Sequence, residues 1–282
     1  MAAIASAPES ADGFAVRFWG VRGSLPCSGP DTARYGGNSS CVEMTCGDRR
    51  LVFDAGSGLR ALAAAMDGPQ DFDLLFSHFH YDHVIGLPFC GPLYRPDSRC
   101  RIHAGRAGRE PDTRGVLERF MAAPLFPLRL DFFRAALSFN DFAPGDGLDL
   151  GDGISIRTAP LNHQDEATGY RVGYRGRSAC YVTDTEQEAG GLDPGILGLI
   201  EGADLFIYDC TYTDAEYSAH RGWGHSTWQE GMRLAEAAGV RTLVIFHHDP
   251  GHDDAFMDVI AAEAERARPG TVVAKDGMTL TL

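Results

Sequence analysis

The stretch Ser77-His78-Phe79-His80-Tyr81-Asp82-His83 follows an apolar run over residues 72–76 and holds four side chains that can ligate metal. If the run is a buried strand, His78 and His80 project to the same side at its end and can chelate one ion. Asp82 and His83 come after the chain has turned, where residues 84–87 look like the start of a helix. This second pair points from another direction and suits a second ion. The pattern predicts a metal site rather than a histidine-rich surface loop.

Polar residues at the ends of three later predicted strands can supply the ligands that this cluster lacks. They are His163, Asp184 and His247, and neighbouring strand ends meet at one edge of a sheet. Asp184 can bridge two ions because a carboxylate has two oxygens. Alone, each residue would be interpreted as a cap or a satisfied polar group, but together with the first cluster they predict metal binding. Imidazole and carboxylate without thiolate favour two Zn²⁺ ions, with Mn²⁺ or Fe²⁺ as alternatives.

Composition is typical of a globular enzyme, with 282 residues, 44% of them hydrophobic, and 34 glycines. We expect a disordered arm over residues 1–12 and a single domain over residues 13–282. The chain has neither a cationic start nor a long apolar stretch, which predicts a cytoplasmic protein without membrane contact. Seven cysteines without CxxC spacing predict free, buried thiols. A formal net charge of −14 without a basic run argues against an extended nucleic-acid groove.

Hydrophobic periodicity predicts alternating strands and helices. Strands are expected at residues 14–20, 41–45, 51–53, 73–77, 154–159, 169–174, 179–182, 205–208 and 242–246. Helices are expected over residues 59–66, 113–121, 226–239 and 254–266, with Ser226 and Gln229 as a capping box. Residues 91–150 show no clear hydrophobic periodicity apart from that of one helix. The order of elements suggests a layered α/β sandwich.

The ordered set of ligands resembles the metallo-β-lactamase superfamily of dinuclear metallohydrolases, from Phe14 onward. The resemblance implies a four-layer αββα sandwich. It assigns one ion to His78, His80 and His163, and a second to Asp82, His83 and His247, with Asp184 between them. Asp54 matches an aspartate that supports such sites without binding metal.

Two further motifs look like those of the RNase Z-like phosphodiesterase branch. They are Tyr208-Asp209-Cys210-Thr211 and Gly224-His225-Ser226-Thr227. The resemblance implies that a hydroxide bridging the ions attacks phosphorus, and that His225, oriented by Asp209, protonates the departing alkoxide. It thereby counts Asp82, Asp209 and His225 as catalytic. His225 also precedes a predicted helix N-terminus, which favours an anion such as phosphate. The alternative is that His225 only packs beside a neighbouring tryptophan.

The expected substrate is a small phosphodiester, such as a cyclic nucleotide or cyclic phosphate. The tRNA-processing members of the branch carry a long arm after the third metal-binding histidine. Here 20 residues separate His163 from Asp184, and predicted strands fill them. The segment from Val21-Arg22-Gly23-Ser24 to Ser40 also looks like the cyclic-phosphodiesterase relatives.

Other functions and partners stay open. The same metal set serves thioesterases and lactonases, a nuclease could act on short RNA or DNA ends, and a metal-binding sensor module could lack catalysis. Flavin-coupled di-iron oxidoreductases of this fold place an acidic residue where His80 stands. His248 and His252 could contact substrate or metal, whereas His103 and His220 are expected to have no chemical role. A homodimer is compatible with the sequence, with residues 91–150 as its contact region.

Overall fold

Two β-sheets form the centre of the computed structural model, which describes residues 13–188 and 190–282. The arm predicted for residues 1–12 lies outside the described residues. The first sheet contains β1 (Phe14–Gly20), β2 (Cys41–Cys46), β3 (Arg49–Phe53), β4 (Asp71–Phe76), β5 (Arg99–Ala104) and β6 (Ala136–Asp141). The second contains β7 (Gly147–Gly151), β8 (Ile154–Leu161), β9 (Ala167–Tyr174), β10 (Arg177–Val182), β11 (Leu205–Asp209), β12 (Thr242–Phe246) and β13 (Val272–Val273). The last strand, β14 (Thr279–Thr281), returns to the first sheet beside β1.

The strand directions determine where the connecting loops meet. The spatial orders are β14-β1-β2-β3-β4-β5-β6 and β13-β12-β11-β10-β9-β8-β7. Strands β3 to β6 are parallel, as are β10 to β13. In an open sheet, the carboxyl ends of parallel strands form the edge where ligands bind. The segments after β4, β10, β11 and β12 are therefore the candidates for a functional site.

Helices cover the outer face of each sheet. Along the chain they are α1 (Gly58–Ala65), α2 (Tyr81–Val84), α3 (Thr113–Phe120), α4 (Pro194–Ile200), α5 (Asp214–His220), α6 (Trp228–Ala237) and α7 (Asp254–Ala267). Leu59 of α1 is buried in a cluster with Phe72 of β4, and Ile260 of α7 is buried in another with Phe206 of β11. In the described parts of the chain, each helix is too short or too polar to cross a membrane.

A third hydrophobic cluster joins the two sheets face to face. The ring of Phe53 in β3 lies 5.4 Å from that of Tyr181 in β10, and Phe18 lies 6.1 Å from Phe246. Each fully buried phenylalanine contributes about 1.5–3 kcal/mol relative to an exposed one. Helix, sheet, sheet and helix thus form four layers, which confirms the predicted αββα sandwich. All seven cysteines are free thiols, and all but Cys27 are buried.

The region at residues 91–150 is more regular than predicted, because it contains β5, β6 and β7 besides α3. Polar residues interrupt the hydrophobic pattern of β5, so the sequence did not predict this strand. Arg101 Nε donates to Asp73 Oδ1 at 2.8 Å, and His103 Nε2 lies 3.0 Å from the same oxygen. Asp73 of β4 is fully buried. The polar side chains of β5 therefore satisfy a buried carboxylate instead of facing solvent.

Two helix starts also differ from the prediction. The helix after the histidine cluster begins at Tyr81 and ends at Val84, so Asp82 and His83 lie on it rather than before it. The capping box assigned to Ser226 and Gln229 is wrong. Thr227 caps α6 by accepting a hydrogen bond from Glu230 N at 3.1 Å, because the buried Ser226 hydroxyl accepts from Tyr208 OH at 2.9 Å.

Candidate metal centre

The ends of four strands bring all seven predicted metal ligands together. His78, His80 and His163 offer nitrogen atoms within 4.8 Å of one another. Asp82, His83, Asp184 and His247 form a second group that meets the same limit. The first group follows β4 and β8, and the second adds residues from α2, from the end of β10 and from the end of β12.

Asp184 lies between the two groups and directs one oxygen to each. Its Oδ1 is 3.7 Å from His78 Nε2 and 3.8 Å from His163 Nε2. Its Oδ2 is 3.2 Å from both His83 Nε2 and His247 Nε2. This arrangement is the one that a bridging carboxylate requires. The backbone of Asp184 is left-handed, with φ of 58°, which turns the side chain at the strand end toward both groups.

Several donor atoms at the site are suited to a cation. The buried Nε2 atoms of His78 and His83 form no hydrogen bond with the described residues. His163 Nε2 lies 3.1 Å from His80 Nδ1. Ligands about 2.0–2.1 Å from a tetrahedral ion lie roughly 3.3 Å apart, close to this spacing. Buried polar atoms without partners are costly, so the donor set fits a site for divalent metal.

The electrostatics of the second group also favour positive charge. Burial lowers the pKa of His83, but the carboxylates of Asp82, Asp184 and Asp54 outweigh it and raise the pKa well above its usual range. At His78, burial and the neighbouring His83 lower the pKa instead. The neutral imidazole of His78 is the form that binds metal. The carboxylates around His83 stabilise a bound cation in the same way that they stabilise a proton.

Asp54 holds the candidate ligand His83 in place through a hydrogen bond, as the resemblance implied. Its Oδ2 accepts hydrogen bonds from His83 Nδ1 and Tyr181 OH, both at 2.8 Å. Its carboxylate also accepts from the backbone N–H and the hydroxyl of Ser77, again at 2.8 Å. A histidine that donates Nδ1–H to a carboxylate presents its Nε2 lone pair to a metal. Asp54 thus sets the orientation of His83 without facing the ligand groups itself.

His225 and Asp209 form a buried pair at the same edge. His225 Nδ1 donates to Asp209 Oδ2 at 2.9 Å. Burial lowers the pKa of His225, but Asp209 outweighs it and the pKa rises to about 9. His225 lines a cavity of about 290 Å³ together with His80, Asp82 and Asp184. Since Asp209 occupies Nδ1, the imidazole has its Nε2 left to act in that cavity.

Some supporting residues could not be read from the sequence. Ser24 N donates to Asp82 Oδ2 at 2.8 Å, and a Cβ at Gly23 would overlap the ring of His247. Thr211 Oγ1 lies 3.0 Å from His247 Nδ1 and 2.7 Å from Asp209 Oδ1, so this hydroxyl links the two residues. The sequence signals were the Gly- and Ser-rich segment after β1 and the motif that contains Thr211. The role of the segment after β1 depends on contacts with residues far along the chain.

Glu186 forms hydrogen bonds with the backbone of the segment just before His225. Its Oε1 accepts from Gly222 N at 2.7 Å, and its Oε2 accepts from Gly224 N at 3.0 Å. Gly224 O in turn accepts from His163 Nδ1 at 2.7 Å. A larger cavity of about 860 Å³ lies beyond Glu186, but none of the seven candidate ligands lines it. The smaller cavity, by contrast, is lined by candidate ligands from both groups.

The remaining histidines have structural partners. His248 is fully buried and donates from Nε2 to Ala274 O at 2.9 Å, and burial lowers its pKa to about 3. His252 Nε2 lies 2.9 Å from Glu216 Oε1. His220 stacks on Tyr212, with ring centroids 4.3 Å apart. His248 and His252 therefore contact neither the two ligand groups nor the small cavity.

The sequence matches a known family over most of its length. Residues 49–248 match the family described as the β-lactamase superfamily domain. The chain belongs to the metallo-β-lactamase superfamily. Within it, the chain is an RNase Z-like metallohydrolase, as the motifs around Asp209 and His225 predicted. It is a metal-dependent hydrolase of the phosphoesterase type.

Relatives of this metallohydrolase and solved structures agree with its fold. A ribonuclease Z from Brevibacillus brevis is 32% identical, with 88% of this chain and 92% of the relative covered. One from Haloarcula marismortui is 25% identical, with 93% and 95% covered. Among solved structures, YhfI from Bacillus subtilis has a TM-score of 0.71 at 20% identity, covering 96% of this chain and 100% of its own. The short form of human tRNase Z has a TM-score of 0.68 at 20% identity, covering 94% and 98%. A diphosphatase from the PhnP family has a TM-score of 0.71 at 18% identity, covering 95% and 97%.

Proposed function

We propose that the chain is a two-metal phosphodiesterase that hydrolyses a small phosphodiester, such as a cyclic nucleotide or cyclic phosphate. The observation that carries the proposal is the position of the His225–Asp209 pair. His225 lines the same 290 Å³ cavity as Asp82 and Asp184, which come from the metal-ligand groups. Hydrolysis of a phosphodiester needs a proton donor for the departing alkoxide. Acyl transfer with a good leaving group has less need of such a donor.

Each group of residues has a separate task in this reaction. His78, His80 and His163 would hold one ion, Asp82, His83 and His247 the other, and Asp184 would lie between them. When bound, two divalent ions, with Zn²⁺ favoured, activate water and withdraw charge from the phosphoryl group. His225 donates its Nε2 proton to the departing oxygen. Asp209 holds the ring through Nδ1 and stabilises the imidazolium before transfer.

The size of the substrate is inferred from what the chain lacks between His163 and Asp184. Strands β9 and β10 pair closely there and are joined only by Arg175 and Gly176. The alignment with ribonuclease Z of Parabacteroides distasonis extends over 322 positions, although this chain has 282 residues of which 95% are covered. That relative therefore has segments without a counterpart here. With a net charge of −14, the chain is better suited to a small diester than to a structured RNA.

A second candidate is a nuclease that acts on short RNA ends. It is favoured by the relatives named ribonuclease Z, which are 23–32% identical to this chain. The two candidates share the chemistry at phosphorus and differ in the substrate beyond it.

The test is a comparison of substrates with metal-loaded protein. The panel contains uridine 2′,3′-cyclic phosphate, a 3′,5′-cyclic nucleotide, bis(p-nitrophenyl) phosphate, a precursor tRNA, a thioester and a lactone. We expect hydrolysis of the small diesters, and a roughly 10²- to 10⁴-fold loss of kcat/KM in His225→Ala with unchanged metal content. His220→Ala is the matched control, because His220 lies outside the cavity. Cleavage of the thioester or lactone alone would overturn the proposal, and preferred cleavage of the precursor would favour the nuclease.

A further inference from the structure

A third cavity opens beside the metal centre, next to His78 and His80. Its volume is about 470 Å³, and its lining includes Phe79 and several residues between Ala104 and Pro111. Arg106 and Arg109 are among these lining residues. The cavity adjoins the first group of ligands, so a substrate held at the metal centre can extend into it. The reaction itself gives this cavity no role.

Arg106 is held in place without a carboxylate partner. Its Nε and Nη2 both donate to Pro111 O, at 3.0 and 2.7 Å. Its guanidinium lies over the ring of Phe79, 5.8 Å from the centroid. Among the ion pairs of residues 13–188 and 190–282, none includes Arg106. Burial and the nearby Arg109 lower its pKa. The carboxylates of Asp141, Asp165 and Asp112 act on Arg106 only through space. The guanidinium of Arg106 has only a carbonyl as hydrogen-bond acceptor, so it can still bind the anion of a ligand directly.

The acidic side chains that line the cavity form an ion pair or are exposed to solvent. Glu166 forms an ion pair with Arg109, and its side chain is 59% exposed. Asp165 Oδ2 lies 3.9 Å from His80 Nε2 and its side chain is 87% exposed. Glu110 is also exposed. An exposed ion pair such as that of Glu166 contributes little stability, so a stronger anion can replace it at Arg109.

We propose that this cavity binds a second phosphate group of the substrate, and that Arg106 is the residue that recognises it. The inference rests on the proposed function, since the first phosphate is the one placed at the metal centre. With Nε and one Nη2–H bonded to Pro111 O, the planar guanidinium still has N–H groups on Nη1 and Nη2 that can form two parallel hydrogen bonds with phosphate oxygens. The second phosphate can come from two sources. One is a terminal phosphate on a small nucleotide, and the other is the next diester of a short oligonucleotide.

Equilibrium binding tests this without turnover. Metal-loaded protein is titrated calorimetrically with uridine 3′,5′-bisphosphate and with uridine 3′-phosphate and uridine 5′-phosphate. We expect the bisphosphate to bind about ten- to a hundredfold more tightly than either monophosphate, as charge-assisted hydrogen bonds of this kind contribute. Arg106→Met keeps an unbranched apolar stem but removes the guanidinium group, and it should abolish that preference. Arg119→Met, an exposed arginine on α3, should keep it.

Kinetics distinguish the two sources and separate this inference from the proposed function. Uridine 2′,3′-cyclic phosphate is compared with its 5′-phosphorylated form, and the dinucleotide UpU with pUpU and UpUpU. A higher kcat/KM for the phosphorylated monomer identifies a terminal phosphate on a small nucleotide as the source. An increase in kcat/KM only with UpUpU identifies the next diester of an oligonucleotide. Either increase should require Arg106. Hydrolysis of all diesters without any gain, or a gain that survives in Arg106→Met, overturns the inference but not the phosphodiesterase. Tighter bisphosphate binding without hydrolysis of any diester supports the inference and contradicts the proposed function.

Discussion

Asp54 Oδ2 lies 2.8 Å from His83 Nδ1, so a fully buried carboxylate fixes the orientation of the fully buried imidazole of a candidate metal ligand. This contact joins the end of β3 to helix α2. It also leaves His83 Nε2 directed at Asp82 and Asp184, at 3.1 and 3.2 Å.

Asp54→Asn should weaken metal binding without removing a metal ligand. The amide can no longer accept from all of its present donors as a carboxylate does, so His83 loses its fixed orientation. Loss of such an outer partner typically costs about 10- to 100-fold in metal affinity. Competition with a chromophoric chelator measures the change. Tyr181→Phe, which removes one neutral donor to Asp54, should cause a smaller effect. Equal affinities in the wild type and Asp54→Asn would contradict the assigned role.

Gly23→Ala should disturb the second ligand group through His247. A Cβ at position 23 would overlap the His247 ring, which is already on a residue with φ of 61°. We expect the variant to bind about one metal ion less per chain under conditions that saturate the wild type. Elemental analysis after gel filtration gives the count. Gly91→Ala is the control, since nothing lies within 4 Å of its added Cβ. Full metal content in Gly23→Ala would show that the contact is not needed.

Glu186→Gln should impair turnover more than substrate binding. Its carboxylate accepts from the backbone N–H groups of Gly222 and Gly224, just before His225. An amide places an N–H donor against one of those groups, at a cost of about 1–3 kcal/mol. Displacement of His225 should lower kcat about tenfold or more with little change in KM. The exposed Glu188→Gln is the matched control. A change confined to KM would assign Glu186 to substrate binding instead.

Stability should depend on pH through Asp276. Burial raises the pKa of its carboxyl to about 6, above the usual value of about 3.9 in unfolded chains. The folded state therefore holds the proton more tightly, and this contribution is complete below pH ~4 and is lost as pH rises through ~6. The free energy of unfolding of Asp276→Asn relative to the wild type should increase by about 1–3 kcal/mol between pH 4 and pH 7. Urea denaturation across this range measures it. If the difference in unfolding free energy between the variant and the wild type does not change with pH, the raised pKa of Asp276 is contradicted.

The clustering of the candidate metal ligands could be predicted because their signal is local or lies at strand ends. The cluster from His78 to His83 needs only one buried strand before it, and His163, Asp184 and His247 each follow a strand that periodicity reveals. Strand β5 could not be predicted, because Arg101 and His103 look solvent-exposed until the buried Asp73 is placed beside them.

The supporting contacts were beyond sequence reasoning for a different reason. Gly23 and His247 are 224 positions apart along the chain, and nothing in either neighbourhood indicates that their atoms touch. The same holds for Glu186 and the segment before His225. Such contacts depend on how two sheets pack, which local patterns do not specify.

The most direct test of the two-metal phosphodiesterase is a zinc titration of chelator-stripped protein, followed by hydrolysis of uridine 2′,3′-cyclic phosphate. Because Asp184 directs one oxygen to each ligand group, both ions should be needed together. We expect little activity with the first equivalent of zinc and a plateau near two equivalents per chain. A plateau at one equivalent, or no hydrolysis with two ions bound, would contradict the account.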